Sequence, residues 1–449
     1  MTPKWAMDAI FYHIYPLGLC DAPPHNDLQS AMVPRLNRLH EWLDHIQELG
    51  ANALYLGPVF EATAHGYDTV DYFQVDRRLG SNETLKTLIQ NMKQRGFRVI
   101  FDGVFNHVGR DFWAFRDVMA YGQASQYCDW FSGLDFNRMS PYGDPFAYDG
   151  WAGHYDLVKL NLANAAVQTH LFEAVGFWID YFEIDGLRLD AADHIHPDFF
   201  RALRAFSHKH RADFWLMGEV VHGDYRKWAN PAMLDATTNY ECYKGLYSSH
   251  VDRNYFEIAY SLNRQFGAEG IYRDLFLYNF ADNHDVNRVA SSLTNLAHLY
   301  TLYGLLFTMP GIPSIYYGSE WGIIGERTAH SDQMLRPALD LSSTHFPHPD
   351  LVTAIKRFAA IRHKTPALRY GRYQQIHIAH EQFAFLRASD EQSILVILNA
   401  ASTQSNVPLQ GLNAHHLTDL LNQGETFDVS NDHISIPVHH HWLRIMQVT

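Results

Sequence analysis

The feature that most constrains this chain is a series of short apolar segments, each of which hands over to an acidic residue as it ends. Arg98 to Phe101 is followed by Asp102, Gly186 to Leu189 by Asp190, Phe214 to Gly218 by Glu219, and Leu277 to Phe280 by Asp285 a few residues on. Four similar segments, Ile10 to Tyr15, Ala53 to Leu56, Leu234 to Thr238 and Ser314 to Tyr317, complete a set of eight. All are rich in β-branched and aromatic residues and precede longer helix-compatible stretches, the pattern of βα units and a parallel sheet. Eight strands fill a (β/α)8 barrel, whose functional groups gather at the carboxyl ends of the strands; a doubly wound sheet has the same alternation.

Spacing favours the barrel. Asp190 to Glu219 spans 29 residues, one βα unit, and Glu219 to Asp285 spans 66, two units at about 30 residues each. The carboxylates then share one rim. Asp102 to Asp190 is 88 residues, and after one unit about 55 to 60 are left over, too many for an ordinary loop. The spacing predicts a barrel built from residues 1–107 and 163–370, with a subdomain over 108–162 inserted after the third strand. The aromatics of that insertion, Trp113, Trp130, Tyr142 and Trp151 among them, read mostly as its own small core rather than as a sugar-stacking wall. Leu351 to Leu368 has the periodicity of a last barrel helix. Beyond it, Gln374 to Ala379, Phe383 to Arg387, Ser393 to Leu398 and Trp442 to Val448 predict a C-terminal antiparallel β-sandwich over 371–449.

Composition narrows the partners. With 47% hydrophobic and 19% charged residues among 449, the chain is globular rather than disordered. Lys plus Arg minus Asp plus Glu is 35 − 49 = −14, which repels phosphate backbones and anionic bilayers, so neither nucleic acid nor membrane is expected as a partner. Three scattered cysteines, Cys20, Cys128 and Cys242, with no C-x-x-C, fit a reducing compartment. The N-terminus has no basic segment leading into an apolar run, and a cytoplasmic location is expected. The 28 histidines are scattered, and the run His439 to His441 reads as strand or loop rather than a ligand set, because no zinc-type spacing accompanies it.

Two carboxylates on adjacent strand ends, with a third nearby, are what cleavage of a glycosidic bond requires. Arg188, two residues before Asp190 on the same side of a strand, can hold that aspartate ionised and oriented, which suits a nucleophile. Glu219 follows Phe-Trp-Leu-Met-Gly, an apolar approach that favours a protonated general acid. Asp285 follows Asn283 and His284, both able to hydrogen-bond sugar hydroxyls, and its charge can stabilise a developing cation. Taken singly, each acid also fits an ordinary cap or salt bridge on a barrel rim.

The surrounding motifs resemble those of the α-amylase family, glycoside hydrolase family 13. Asp102-Gly-Val-Phe-Asn-His107, Gly186-Leu-Arg-Leu-Asp190-Ala-Ala-Asp-His194, Gly218-Glu219-Val-Val and Phe280-Ala-Asp-Asn-His-Asp285 match its four motifs in order. The resemblance implies that Asp190 is the nucleophile, Glu219 the acid/base and Asp285 the transition-state stabiliser of a retaining double displacement on α-glucans. It further implies that Tyr67 stacks under the sugar, assisted by Asp68, that His107, Arg188 and His284 contact that sugar or orient the nucleophile, and that Asp332 and Arg336 bind the next sugar toward the non-reducing end. Leu157-Val-Lys-Leu-Asn161 is similar to a fifth motif in the form seen in neopullulanases, cyclomaltodextrinases and maltogenic amylases. Relatives often carry Lys-His after the nucleophile where this chain has Asp193-His194, so His194 as a contact beyond the cleavage point rests on the histidine alone. Asn106 matches a calcium-binding position of many relatives, but no metal or cofactor is expected to be required. The resemblance leaves two acceptors open, water in a hydrolase and a sugar hydroxyl in a transglycosylase or isomerase. A non-catalytic carbohydrate-binding relative is the third reading.

Overall fold

The computed structural model describes residues 2–342, 345–430 and 432–449. Its centre is a closed parallel barrel of β1 (Phe11–Ile14), β2 (Ala53–Leu56), β3 (Arg98–Gly103), β4 (Gly186–Leu189), β5 (Trp215–Gly218), β6 (Ala236–Thr237), β7 (Tyr278–Phe280) and β8 (Ile312–Tyr316). The hydrogen-bonded order is 6-5-4-3-2-1-8-7, and a bridge between Thr238 and Tyr278 joins the two ends. The expected strands are all present, some displaced by a residue or two: β5 begins at Trp215 and β8 at Ile312.

Alternation along the strands divides their side chains between two cores. Phe11, Ala53, Tyr55, Ile100, Trp215, Met217, Ala236, Tyr278, Phe280 and Ile312 fill the interior of the barrel. Residues one position away, such as Tyr12, Leu54, Val99, Leu187 and Leu216, face the helices. The same two-residue step carries the interior face upward from Ile100 to Asp102, from Gly186 to Arg188 and Asp190, and from Met217 to Glu219, aiming the rim's charged groups at the barrel axis. The floor is closed by a short helix, Lys4–Met7, whose Trp5 packs edge-on to Trp215 at 6.0 Å, while Trp215 stacks on Phe11 at 5.3 Å. Trp215→Ala leaves a large hole at this point and is expected to cost about 3–5 kcal/mol, read from a shifted denaturant midpoint.

The barrel helices are amphipathic in the ordinary way. Asn82–Gln94 buries Leu85, Leu88, Ile89 and Met92, and Ser81 with Thr84 forms a reciprocal cap at its start. The βα alternation fails once. Between β5 and β6 there is no α-helix, only a single 3-10 turn at Tyr225–Lys227, and the length is recovered after β6 by two successive helices, Tyr240–Val251 and Phe256–Phe266. Seventeen residues between Gly218 and Ala236 leave no room for a helix that crosses the barrel's height and returns.

Between β3 and the helix Ala165–Phe182 the chain forms a helix, Trp113–Tyr121, and a three-stranded antiparallel sheet of His107–Gly109, His154–Lys159 and Gly150–Trp151. Phe115, Phe131, Phe146 and Tyr148 pack edge to face within it, so most of its aromatics form a local core. Trp151 instead points toward the rim, its ring 4.6 Å from that of His194.

The C-terminal part is an antiparallel sandwich. β9 (Arg372–Ile378), β10 (Gln382–Ala388), β11 (Ser393–Asn399), β13 (His416–Asp419), β14 (Thr426–Asp428) and β16 (Trp442–Val448) form one sheet, ordered 9-10-11-16-13-14, and β12 (Ser405–Gln410) pairs with β15 (His433–Val438) as the facing ribbon. On β11, Leu395 and Ile397 face the ribbon while Ile394, Val396 and Leu398 face the barrel. Gly304 permits that docking, since a Cβ there would lie 2.4 Å from Leu443. His439 to His441 form the loop between two strands, with the turn at His440 and His441. The three cysteines are unpaired, and no helix among the described residues is long and apolar enough to cross a membrane.

Candidate active site

Arg188 stands at the centre of the rim. Its guanidinium reaches Asp102 at 2.9 Å, Asp190 at 2.8 Å and Glu219 at 2.9 Å, and it is almost wholly buried. β4 lies between β3 and β5, with Arg188 directly opposite Asp102 on one side and Met217 on the other, so register alone brings the three acids to one cation. Asp285 joins through a second chain: it accepts from His284 at 2.9 Å, His284 meets the Tyr67 hydroxyl, and Tyr67 donates to Asp102 at 2.9 Å.

The carboxylates sit in different surroundings. Burial pushes Asp190 upward, and the neighbouring Glu219, Asp102 and Asp285 add to this, with Arg188 opposing. Asp285 is only half-buried, and the desolvation it undergoes would alone raise it. His284 and Arg336, at 3.1 Å, outweigh burial and hold it well below the usual carboxylate range. The surroundings of Glu219 differ from those expected of its apolar approach. Phe214 to Met217 alternate between the two cores, and the carboxyl itself meets Arg188, the Ala191 N–H at 3.1 Å and the Tyr240 hydroxyl at 3.4 Å. Ala191 adopts a left-handed conformation, φ 46°, which turns its N–H toward Glu219.

The other expected residues fall into two groups. Tyr67, His107, Arg188, His284 and Arg336 surround the acids. Tyr67 lies parallel to His284 at 5.3 Å, and the His107 Nε2, which has no hydrogen-bond partner, lies 4.0 Å from Asp190 Oδ2. Burial pushes His107 down to about 3, so it is neutral near pH 7. Arg336 bridges Asp285 and Asp332 and borders a cleft of about 530 Å³ with Tyr15, His65 and Arg327. His194 is half exposed against Trp151.

Asp68 and Asn283 are tied to backbone N–H groups of their own turns. Asp68 accepts from the Ala64 and Gly66 N–H groups at 2.7 and 3.1 Å, so its carboxylate shapes the loop that carries Tyr67 rather than facing the cleft. Asn283 accepts from Asp285 N and Val286 N and donates to Tyr240, which fixes the Asp285 turn. Asn106 donates its side-chain amide to His107 Nδ1 at 3.2 Å, and the described residues contain no cluster of three or more His, Cys, Asp or Glu arranged for a metal ion.

Four contributors were not among the expected site residues. Asp102 accepts from Tyr55 at 2.7 Å as well as from Tyr67 and Arg188, and His13 stacks on Tyr55 at 4.0 Å beneath them. Tyr240 lies beside Glu219. Asp102 was visible in the sequence as a rim acid; Tyr55 and His13 become visible only through strand pairing, and Tyr240 only through the helix that starts after β6.

The family model described as the catalytic domain of alpha amylase matches residues 25–344. A cyclomaltodextrinase from Bacillus sp. is 32% identical over 416 residues, covering 88% of this chain and 73% of the relative. An intracellular maltogenic amylase from Bacillus subtilis is 29% identical, covering 92% and 72%. Among solved structures, the cyclic α-maltosyl-(1→6)-maltose hydrolase of Arthrobacter globiformis superposes with a TM-score of 0.84 at 28% identity, with all of both chains covered.

Proposed function

The chain belongs to the α-amylase family, and from that premise we propose that it is a retaining hydrolase of α-1,4-glucosidic bonds in maltooligosaccharides, cyclodextrins or related short α-glucans. The observation that carries this reading is the single buried guanidinium of Arg188 bound to both Asp190 and Glu219, with Asp285 linked to the same cluster.

The three carboxylates divide the reaction between them. Arg188 engages Asp190 through Oδ1, leaving Oδ2 to attack the anomeric carbon. Glu219 meets Arg188 and Ala191 through Oε2, so Oε1 carries the proton delivered to the leaving oxygen. That bond breaks as the Asp190–sugar ester forms. Asp285, kept ionised by His284 and Arg336, lies where positive charge develops on the ring. In the second step Glu219, now a carboxylate, takes a proton from water, and the resulting oxygen nucleophile displaces Asp190 with a second inversion. His107, Tyr67 and His284 line the sugar's place, and Arg336 with Asp332 faces the cleft on the non-reducing side. Every proton and covalent role falls to side chains of this chain, without a cofactor.

A cytoplasmic location accompanies this reading, supported by three unpaired cysteines and by a relative named as intracellular. The experiment is a panel of maltooligosaccharides, cyclodextrins, pullulan and starch, with released reducing ends and transferred oligosaccharides measured together. Hydrolysis of the short and cyclic substrates is expected to exceed that of starch, with free sugars as the main products. A predominance of transfer products would replace the hydrolase by a transglycosylase, and inactivity on the whole panel would favour a binding protein.

A further inference from the structure

Five arginines gather where the base of the barrel meets the C-terminal sheet: Arg273 just before β7, Arg362 and Arg369 on the helices Pro349–Lys364 and Pro366–Tyr370, Arg372 on β9 and Arg387 on β10. Among the described residues their ion-pair partners are two carboxylates, Asp8 on Arg369 and Asp274, 2.9 Å from Arg372. The local sum is 5 − 2 = +3, in a chain whose net charge is −14.

The two innermost guanidiniums, those of Arg362 and Arg387, are each 1% exposed and bind carbonyls alone. Arg387 donates to Thr308 O at 2.7 Å and to Gly371 O at 2.9 Å; Arg362 donates to Phe307 O at 2.9 Å and Gly311 O at 2.6 Å. Burial draws both down to about 9, so both stay charged at neutral pH. Carbonyl dipoles solvate a buried cation but do not neutralise it.

Beside Arg387 lies a cavity of about 30 Å³, bordered by Arg273, Arg369, Arg372, Arg387 and Tyr373 together with apolar side chains such as Phe276. One water-sized species needs about 10–15 Å³ measured in this way. Two buried polar atoms of this lining, Arg369 Nε and the Tyr373 hydroxyl, have no hydrogen-bond partner among the described residues.

We propose that this cavity binds a small monovalent anion of chloride size, which offsets one of the cluster's three uncompensated charges and ties the segment before β7 to β9 and β10. The arginines and Tyr373 on one side of the cavity supply donors and positive charge, which would repel a cation and which a water could not balance. A larger oxyanion such as phosphate fits only the adjoining cleft of about 290 Å³, where Asp274 opposes it.

The test uses the full chain. Thermal unfolding in sodium chloride against sodium gluconate at equal ionic strength is expected to show a midpoint about 2–4 °C higher in chloride. Arg273→Gln and Arg372→Gln should each abolish that difference, while Arg116→Gln, an exposed control on the inserted segment, keeps it. Crystals of the unaltered protein soaked in sodium bromide should give an anomalous peak inside the cavity, a result that does not depend on the variants folding. Absence of that peak overturns the proposal, as does a midpoint raised by phosphate but not by chloride, which would move the site to the outer cleft.

Discussion

Glu219→Gln is expected to slow hydrolysis of maltooligosaccharides by about 10²–10⁴-fold, the range that a positioned general acid contributes. The amide keeps the hydrogen bonds around position 219 nearly intact but has no proton to give. The sharper expectation concerns the leaving group. An aryl α-maltoside with an acidic phenol departs without protonation, so its first step should survive in Glu219→Gln and a burst of phenol should precede a slow steady state. Asp190→Asn should lose both substrates alike, because no ester forms. Equal rates for Glu219→Gln and the unaltered protein on maltooligosaccharides would remove Glu219 from the reaction.

Arg188→Gln is the second large effect, and it acts on stability, rate and pH profile together. Arg188 binds Asp102, Asp190 and Glu219 from a buried position, so its loss leaves three crowded carboxylates without their common cation. Removing one partner of such a buried cluster costs about 3–5 kcal/mol, measurable as a lowered denaturant midpoint. The pH dependence has a definite sign. Burial and neighbouring carboxylates already push Asp190 above the ordinary aspartate range, and Arg188 is the main force against them. Without it Asp190 takes up its proton at still higher pH, so the acid limb of kcat/KM moves upward and the active range narrows from the acid side. An unmoved acid limb in a folded Arg188→Gln protein would mean that Asp190 is not the group titrating there.

The clustered rim carboxylates were legible in the sequence because strand ends and spacing are both linear properties. An acid one step past an interior-facing run must point at the barrel axis, and Ile100 to Asp102, Arg188 to Asp190 and Met217 to Glu219 all obey this. What the sequence could not supply was the identity of neighbours across the strands. The apolar run before Glu219 suggested an apolar site, yet its side chains alternate inward and outward, and the carboxyl meets Arg188 from the adjacent strand instead. Asp68 and Asn283 were ambiguous for a related reason: a short polar side chain on a turn binds its own backbone N–H groups as readily as a ligand, and only geometry shows those bonds. The missing helix between β5 and β6 is a matter of length, since seventeen residues are too few for a strand-crossing helix whatever their composition. The arginines at the barrel base were invisible because they come from five separate segments.

The most direct measurement of the central claim is to trap the covalent intermediate. A 5-fluoro α-glucosyl fluoride slows the second displacement more than the first, so the glycosyl-enzyme accumulates and can be digested and mapped by mass spectrometry. The added sugar mass is expected on the peptide containing Gly186 to Asp190, with fragmentation placing it on Asp190, and Asp190→Asn should show none. A stable adduct on any other carboxylate, or turnover with inverted product and no adduct at all, would contradict the account.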